Sequence, residues 1–241
     1  ISTSQTSYLS VQQLLSIYDS IQQQKQVVVE GIFTHFATAD EEDSSYFEKQ
    51  LNKFKELVKL CPTKPSIVHA ANTAASLIKD ERCLFDAVRF GISMYGLAPS
   101  SYVEEILPFP LKRALSFETE LVHVKKIQAG DGVGYGASFI ATEDCYIGTL
   151  PVGYADGVIR KLSGQDVLID GKRAPIIGRI CMDQCMILLP KAYTIGEKVV
   201  LIGKQGNEEI TLDDWATKLE TINYEVPCIF TSRVKRLYEN E

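Results

Sequence analysis

Val27-Val28-Val29-Glu30-Gly31-Ile32-Phe33 is a short, β-branched and almost unbroken apolar run, the pattern of a strand buried on both faces of a parallel sheet. Upstream, Ser10-x-x-Gln13 has the form of a capping box ahead of an apolar stripe of Val11, Leu14, Leu15, Tyr18 and Ile21, which predicts a helix. Downstream, Ser45-x-x-Glu48 opens a second helix that sets Phe47, Leu51, Phe54, Leu57 and Val58 on one face and stops before Pro62. Residues 66–69 read as a strand, 72–79 as a helix and 84–89 as a third strand. Repeated β-α alternation at this spacing implies a parallel sheet, open or closed into a barrel.

After Pro108 and Pro110 the texture changes to short runs separated by glycines. Asp166-Val167-Leu168-Ile169 and Ala174-Pro175-Ile176-Ile177, joined through Asp170-Gly171-Lys172-Arg173, read as a hairpin, because Asp-Gly supports the positive φ angles of such a turn. Residues 117–127, 146–152, 182–189 and 198–203 are further strand candidates, and Thr211 caps a helix bearing Leu212, Trp215 and Leu219. The expected fold class is therefore α/β plus all-β, with residues 1–111 in the β/α half and 112–241 in a separate β-rich domain.

The 241 residues carry a formal charge of −6, with 45% hydrophobic and 23% charged residues, an ordinary globular composition. No Lys/Arg run exceeds two residues, so nucleic acid is not an expected partner. No apolar stretch approaches the roughly 18 residues of a spanning helix, and Ile1-Ser2-Thr3-Ser4-Gln5 lacks the regions of a signal peptide. A cytoplasmic chain is expected, and one that does not begin with Met has the look of a fragment. The six cysteines have no disulfide-scaffold spacing, and most are expected to be buried thiols.

Familiar catalytic motifs are absent: there is no G-x-S-x-G elbow, no phosphate loop and no His-x-x-x-His pair. Cys181 and Cys185 alone make a poor zinc site, since structural zinc takes four ligands. Gly130-x-Gly132-x-Gly134-x-Gly136 lacks the strand-turn-helix setting of a dinucleotide loop and reads as a turn running into a strand. What stands out is polar chemistry at successive strand ends, where the loops of a parallel barrel converge. His35 follows the first strand, His69 and Asn72 the second, and Arg89 with Gly91 the third. A hydroxyl at Thr73 and backbone amides at Gly91-Ile92 would suit a phosphate.

Seven stretches extend this pattern: Thr34-His35-Phe36-Ala37-Thr38-Ala39-Asp40-Glu41, His69-Ala70-Ala71-Asn72-Thr73-Ala74, Arg89-Phe90-Gly91-Ile92-Ser93-Met94-Tyr95-Gly96, Gly134-Tyr135-Gly136-Ala137, Gly153-Tyr154-Ala155-Asp156-Gly157, Gly178-Arg179-Ile180-Cys181-Met182-Asp183-Gln184 and Ile222-Asn223-Tyr224-Glu225. In order and spacing they closely resemble the successive motifs of the bacterial alanine racemase family. The resemblance implies a (β/α)8 TIM-type barrel, here partial, that binds pyridoxal 5'-phosphate and is followed by a β domain. It also implies interconversion of L- and D-alanine for peptidoglycan, in a homodimer whose site is shared between subunits.

Racemisation through a planar carbanion needs a proton donor and acceptor on each face of the substrate Cα. By resemblance, Tyr135 is the base on one face. A phenol of pKa near 10 needs its anion stabilised at neutral pH, so His35 is expected beside it. Arg89 matches the residue facing the pyridine nitrogen, where a guanidinium that only donates discourages protonation and weakens the cofactor's electron sink. Thr73, Gly91, Ile92 and Tyr224 fall at phosphate positions, with Thr73 standing where Ser is commoner, and His69 lies near the cofactor ring. Met182 and Asp183 match residues lining the substrate site, while Tyr154, Arg160, Arg179, Asp40 and Ile222 match the corridor leading to it. Arg179 with Asp40 also reads as a plain ion pair, and Tyr154 as a packed aromatic.

The family's second base is a lysine that also carries the cofactor, in a motif resembling Lys-Ala-Asn-Ala-Tyr-Gly. Neither that motif nor the family's Gly-Met-Gly-Arg segment occurs here, and Lys64, Lys79, Lys125 and Lys126 have no motif to recommend them as substitutes. A barrel typically takes about 250 residues, so roughly half of one is expected to be missing. A racemase for another small amino acid such as serine, a degenerate cofactor-binding or interaction module, and a related pyridoxal-phosphate decarboxylase are the alternative readings.

Overall fold

In the computed structural model, which describes residues 10–63 and 65–239, the chain divides into two compact units between Ala114 and Leu115. Lys64 and the first five residues noted above lie outside the described residues.

In the first unit, α1 (Val11–Gln22) begins at a complete capping box, with Ser10 Oγ accepting from Gln13 N at 3.2 Å and Gln13 returning the bond to Ser10 N at 2.8 Å. It is followed by β1 (Gly31–Phe33), α2 (Ser45–Leu60), β2 (Ile67–His69), α3 (Thr73–Ile78) and α4 (Ser101–Ile106). β1 and β2 are parallel, in the register Gly31 to Ile67 and Phe33 to His69. Leu14 and Leu15 of α1, Phe47, Leu51, Phe54 and Leu57 of α2, and Ile32 and Val68 of the strands close one apolar core.

Three expectations shift in this unit. The first strand is only Gly31–Phe33; Val27 and Val28 are exposed, so the β-branched run overstates its length. The turn before α2 is held by Asp43 Oδ1, which accepts from Ser45 N at 2.8 Å, and the Ser44 and Ser45 hydroxyls make no cap. Residues 84–89 form no strand: they run beside β2 through one parallel bridge, His69 to Ala87, with Asp86 N and Arg89 N donating to the carbonyls of Val68 and Ala71.

The second unit is an antiparallel sheet and one helix. Its strands are β3 (Phe117–Glu120), β4 (His123–Ile127), β5 (Gly132–Val133), β6 (Phe139–Ile140), β7 (Cys145–Leu150), β8 (Asp166–Ile169), β9 (Lys172–Ile177), β10 (Cys185–Leu189), β11 (Lys198–Gln205) and β12 (Glu208–Ile210), followed by α5 (Leu212–Leu219). The large sheet runs β12-β11-β8-β9-β10-β7-β4, with β3 also on β11, and β5 pairs with β6 separately. The span 117–127 is therefore two strands, not one: the chain leaves β11 after Glu120 and joins β7 from His123. The hairpin loop is two residues, Asp170-Gly171, both at positive φ (52° and 67°), because Lys172 and Arg173 already belong to β9. β8 and β11 are buried on both faces, through Val167, Leu168 and Ile169 of one and Val199, Val200, Leu201 and Ile202 of the other, and α5 adds Trp215, which packs near Phe117 and Phe230.

All six cysteines are free, but only Cys83 and Cys185 are buried, and Cys228 is exposed. The other three, Cys61 at the end of α2, Cys145 at the start of β7 and Cys181 in a loop, are half-buried, so fewer are buried thiols than composition suggests.

Candidate functional site

Arg89 organises the first unit's strand ends. Its Nη2 donates to the Thr34 carbonyl beyond β1 (2.8 Å) and to the Ala70 carbonyl beyond β2 (3.0 Å), and approaches His35 Nδ1 at 3.2 Å. Its Nη1 bonds His69 Nδ1. A guanidinium only donates, so both imidazoles must accept through Nδ1 and keep their proton on Nε2. Burial first and the Arg89 charge second push the pKa of each histidine below its ordinary value, holding both rings neutral. His69 also stacks on Phe33, with centroids 5.2 Å apart and planes 7° from parallel, and Arg89 lies over the same Phe33 ring. The Nε–H of Arg89 stays unclaimed among the described residues.

Two buried polar residues set this arrangement. On the apolar face of α2, Gln50 donates to the His35 carbonyl (2.7 Å) and Thr34 Oγ1 (3.2 Å) and accepts from Ala37 N (3.2 Å), pinning the segment that bears His35. Thr73, the first residue of α3, accepts from Gly91 N at 2.8 Å, which leaves its hydroxyl proton free to donate elsewhere. A Cβ at Gly91 would come no nearer than 3.6 Å to Thr73 Oγ1, so the ground above the pair is clear of side chains. Ile92 opens a short 3-10 turn, whose leading N–H groups have no partner within it. Asp40 lies aside from the cluster, its carbonyl accepting from Ser100 Oγ at 2.8 Å.

In the second unit the candidate residues form a chain of contacts. The Gly134-Tyr135-Gly136 turn lies against Gly178 and Arg179, with Tyr135 71% exposed. The Gly153–Gly157 loop docks on the next stretch: Tyr154 N donates to the Cys181 carbonyl and Ala155 N to the Met182 carbonyl, each at 3.0 Å. Met182 and Asp183 are exposed, and Arg233 Nη2 holds Asp183 Oδ1 at 2.7 Å. No described hydrogen bond or ion pair joins the side chains of Arg160 or Ile222 to this group. Tyr224 sits beyond α5, beside Asn223, whose buried amide donates to Asp213 at 2.8 Å. Burial pushes the Cys185 thiol up to about 12, which disfavours the thiolate a metal would need.

Gln50 and Arg233 escape sequence reading. The only sign of Gln50 is an amide within the apolar stripe Phe47, Leu51, Phe54, and nothing local marks Arg233.

The family models and solved structures that this chain matches are those of amino-acid racemases. The profile for the alanine racemase N-terminal domain matches residues 9–99, and that for the alanine racemase C-terminal domain matches residues 114–238. The chain belongs to the alanine racemase family. Alanine racemase of Listeria innocua is 54% identical over 215 residues, 89% of this chain and 58% of that protein. The structure of alanine racemase from Bacillus anthracis with bound L-Ala-P superposes with a TM-score of 0.94 at 41% identity, over 100% of this chain and 64% of that one. Histidine racemase from Leuconostoc mesenteroides subsp. sake superposes at 0.86 with 32% identity, covering 96% and 62%. The chain thus spans about three fifths of the length of these relatives. No helix among the described residues is long and apolar enough to cross a membrane.

Proposed function

We propose that these residues are the C-terminal part of a pyridoxal-phosphate alanine racemase that interconverts L- and D-alanine for peptidoglycan in the cytoplasm. On this reading the first unit is part of a β/α barrel completed by the further length that the relatives have, the second is the family's β domain, and two copies share each site. The observation that carries the reading is the Arg89 cluster: a donor-only guanidinium fixed across two parallel strand ends, with both imidazoles held neutral.

The residues fit the cofactor's chemistry. The Nε–H of Arg89 suits a pyridine nitrogen kept unprotonated, the His69 ring on Phe33 offers a flat neighbour, and the Thr73 hydroxyl, the Ile92 N–H and Tyr224 supply donors for a phosphate lying against Gly91, whose own N–H is held by Thr73 Oγ1. When bound, pyridoxal 5'-phosphate supplies the electron sink that acidifies the substrate Cα–H. Tyr135 moves a proton on one face of that carbon. His35 moderates the phenol, Met182 and Asp183 contact the substrate, and Tyr154, Arg160, Arg179, Asp40 and Ile222 line its approach. The second proton-transfer group is a lysine outside these 241 residues.

The test uses the complete gene product, with its intact mass and N-terminal sequence determined first. Supplied with pyridoxal 5'-phosphate and L-alanine, it should form D-alanine, followed by coupled D-amino-acid oxidation. A mass of 26.8 kDa with no lysine-bearing partner, or no D-alanine formed, would overturn the reading. The histidine racemase likeness favours one rival, a different amino-acid substrate, so L-serine and L-histidine are assayed alongside; faster turnover of either would replace alanine.

A further inference from the structure

Arg233 lies fifty residues from Asp183 in sequence, yet its guanidinium spans two carboxylates of opposite character. Nη2 holds Oδ1 of Asp183, whose side chain is 60% exposed, at 2.7 Å, and Nε lies 3.2 Å from Oδ1 of Asp156, whose side chain is 10% exposed. Asp156 is itself fixed, its Oδ2 accepting from Gly153 N at 2.9 Å across the Gly153–Gly157 loop. The same segment fastens that loop again through Thr231 Oγ1, which donates to the Ala155 carbonyl at 2.8 Å. Ala155 N in turn reaches the Met182 carbonyl. Asp183 is thus an exposed acid tied through one planar fork to a buried anchor.

We infer that Arg233 is a positioning residue that sets the Asp183 carboxylate for substrate binding, using buried Asp156 as its anchor. This rests on the proposed racemase reading, in which Asp183 lines the substrate site. A lysine in its place would reach one carboxylate at a time, because an ammonium is a point donor rather than a fork. The role predicts a KM effect that runs through Asp183 and not through the fold.

The experiment measures kcat and KM for L-alanine in the complete holoenzyme for Arg233→Met, Arg233→Lys, Asp183→Asn and the double variant Arg233→Met/Asp183→Asn, with thermal midpoints. In Arg233→Met, KM should rise about fivefold, as befits losing an exposed ion pair, with kcat within about twofold. Arg233→Lys should recover part of this. In the Asp183→Asn background, Arg233→Met should leave KM unchanged, the signature of one shared interaction. An equal KM penalty in both backgrounds, an unchanged KM in Arg233→Met, or an Arg233→Lys variant that fails to fold would each overturn the role. A wild-type enzyme without alanine turnover would overturn the racemase reading and this role with it.

Discussion

A methyl group added at Gly153 would sit 2.3 Å from the Cys181 carbonyl oxygen and 2.4 Å from that of Met182. Ordinary C···O contact begins near 3.3 Å, so the loop would have to withdraw by about 1 Å. Both obstacles are backbone atoms and no rotamer relieves them. The withdrawal strains two hydrogen bonds that dock the loop, from Tyr154 N and Ala155 N. Each such bond contributes about 0.5–1.5 kcal/mol net, and overpacking of this kind costs about 1–3 kcal/mol. The backbone at Gly153 is extended (φ −147°, ψ −161°), a conformation alanine adopts readily; the stiffer unfolded chain therefore returns up to about 1 kcal/mol. The expected net loss for Gly153→Ala is about 2–3 kcal/mol. Urea titration followed by tryptophan fluorescence should show the midpoint fall with an unchanged m-value. A loss below about 0.5 kcal/mol would refute the claim that this close approach holds the loop on the Cys181–Met182 segment.

Tyr135→Phe in the complete enzyme should cut racemisation in both directions by at least about a hundredfold, the scale of a lost general base, while cofactor absorbance persists; full activity would remove Tyr135 from proton transfer. Arg89→Met should let the titration midpoints of His35 and His69 rise part of the way, read by NMR, because burial, the larger cause of their lowering, remains while the cation that adds to it is gone. In the parent chain the unfolded histidines bind protons that the folded ones resist, so stability present above about pH 6.5 should be lost as pH falls through the lowered folded values; Arg89→Met should narrow that acid loss. Gln50→Ala removes the bonds to the His35 carbonyl, Thr34 Oγ1 and the Ala37 N–H, and should cost about 1–3 kcal/mol in a denaturant melt. Trp215→Ala empties a fully buried site and should cost about 3–5 kcal/mol by the same measure.

Local chemistry made much of this legible. The Ser10 and Thr211 capping boxes formed because their partners stand three residues away, and the Asp170-Gly171 turn formed where two positive φ angles were needed. The apolar stripe of α2 found its core, because helical period alone decides which face is buried. Sequence failed where tertiary pairing decides. Residues 27–29 have strand composition but no strand partner among the described residues, and residues 117–127 read as one strand because the change of partner at Leu121-Val122 leaves no local mark. At the site, the polar residues at the ends of the first two strands mark His35 and His69, and Arg89 is marked with them although the stretch before it makes only a single bridge. Gln50 and Arg233 act on residues fifteen and fifty positions away through bonds that only the folded chain creates.

Trp215 is the single tryptophan of the chain, buried in the second unit with Phe117 and Phe230 around it. Its emission therefore reports the melting of residues 115–241 alone, while helical circular dichroism is weighted toward the first unit, where α1 and α2 lie. Recorded on one sample, coincident curves would mark a single cooperative transition and separated curves two independent ones. The protein carries its own label for measuring how strongly its halves depend on each other, with no dye attached and no residue replaced.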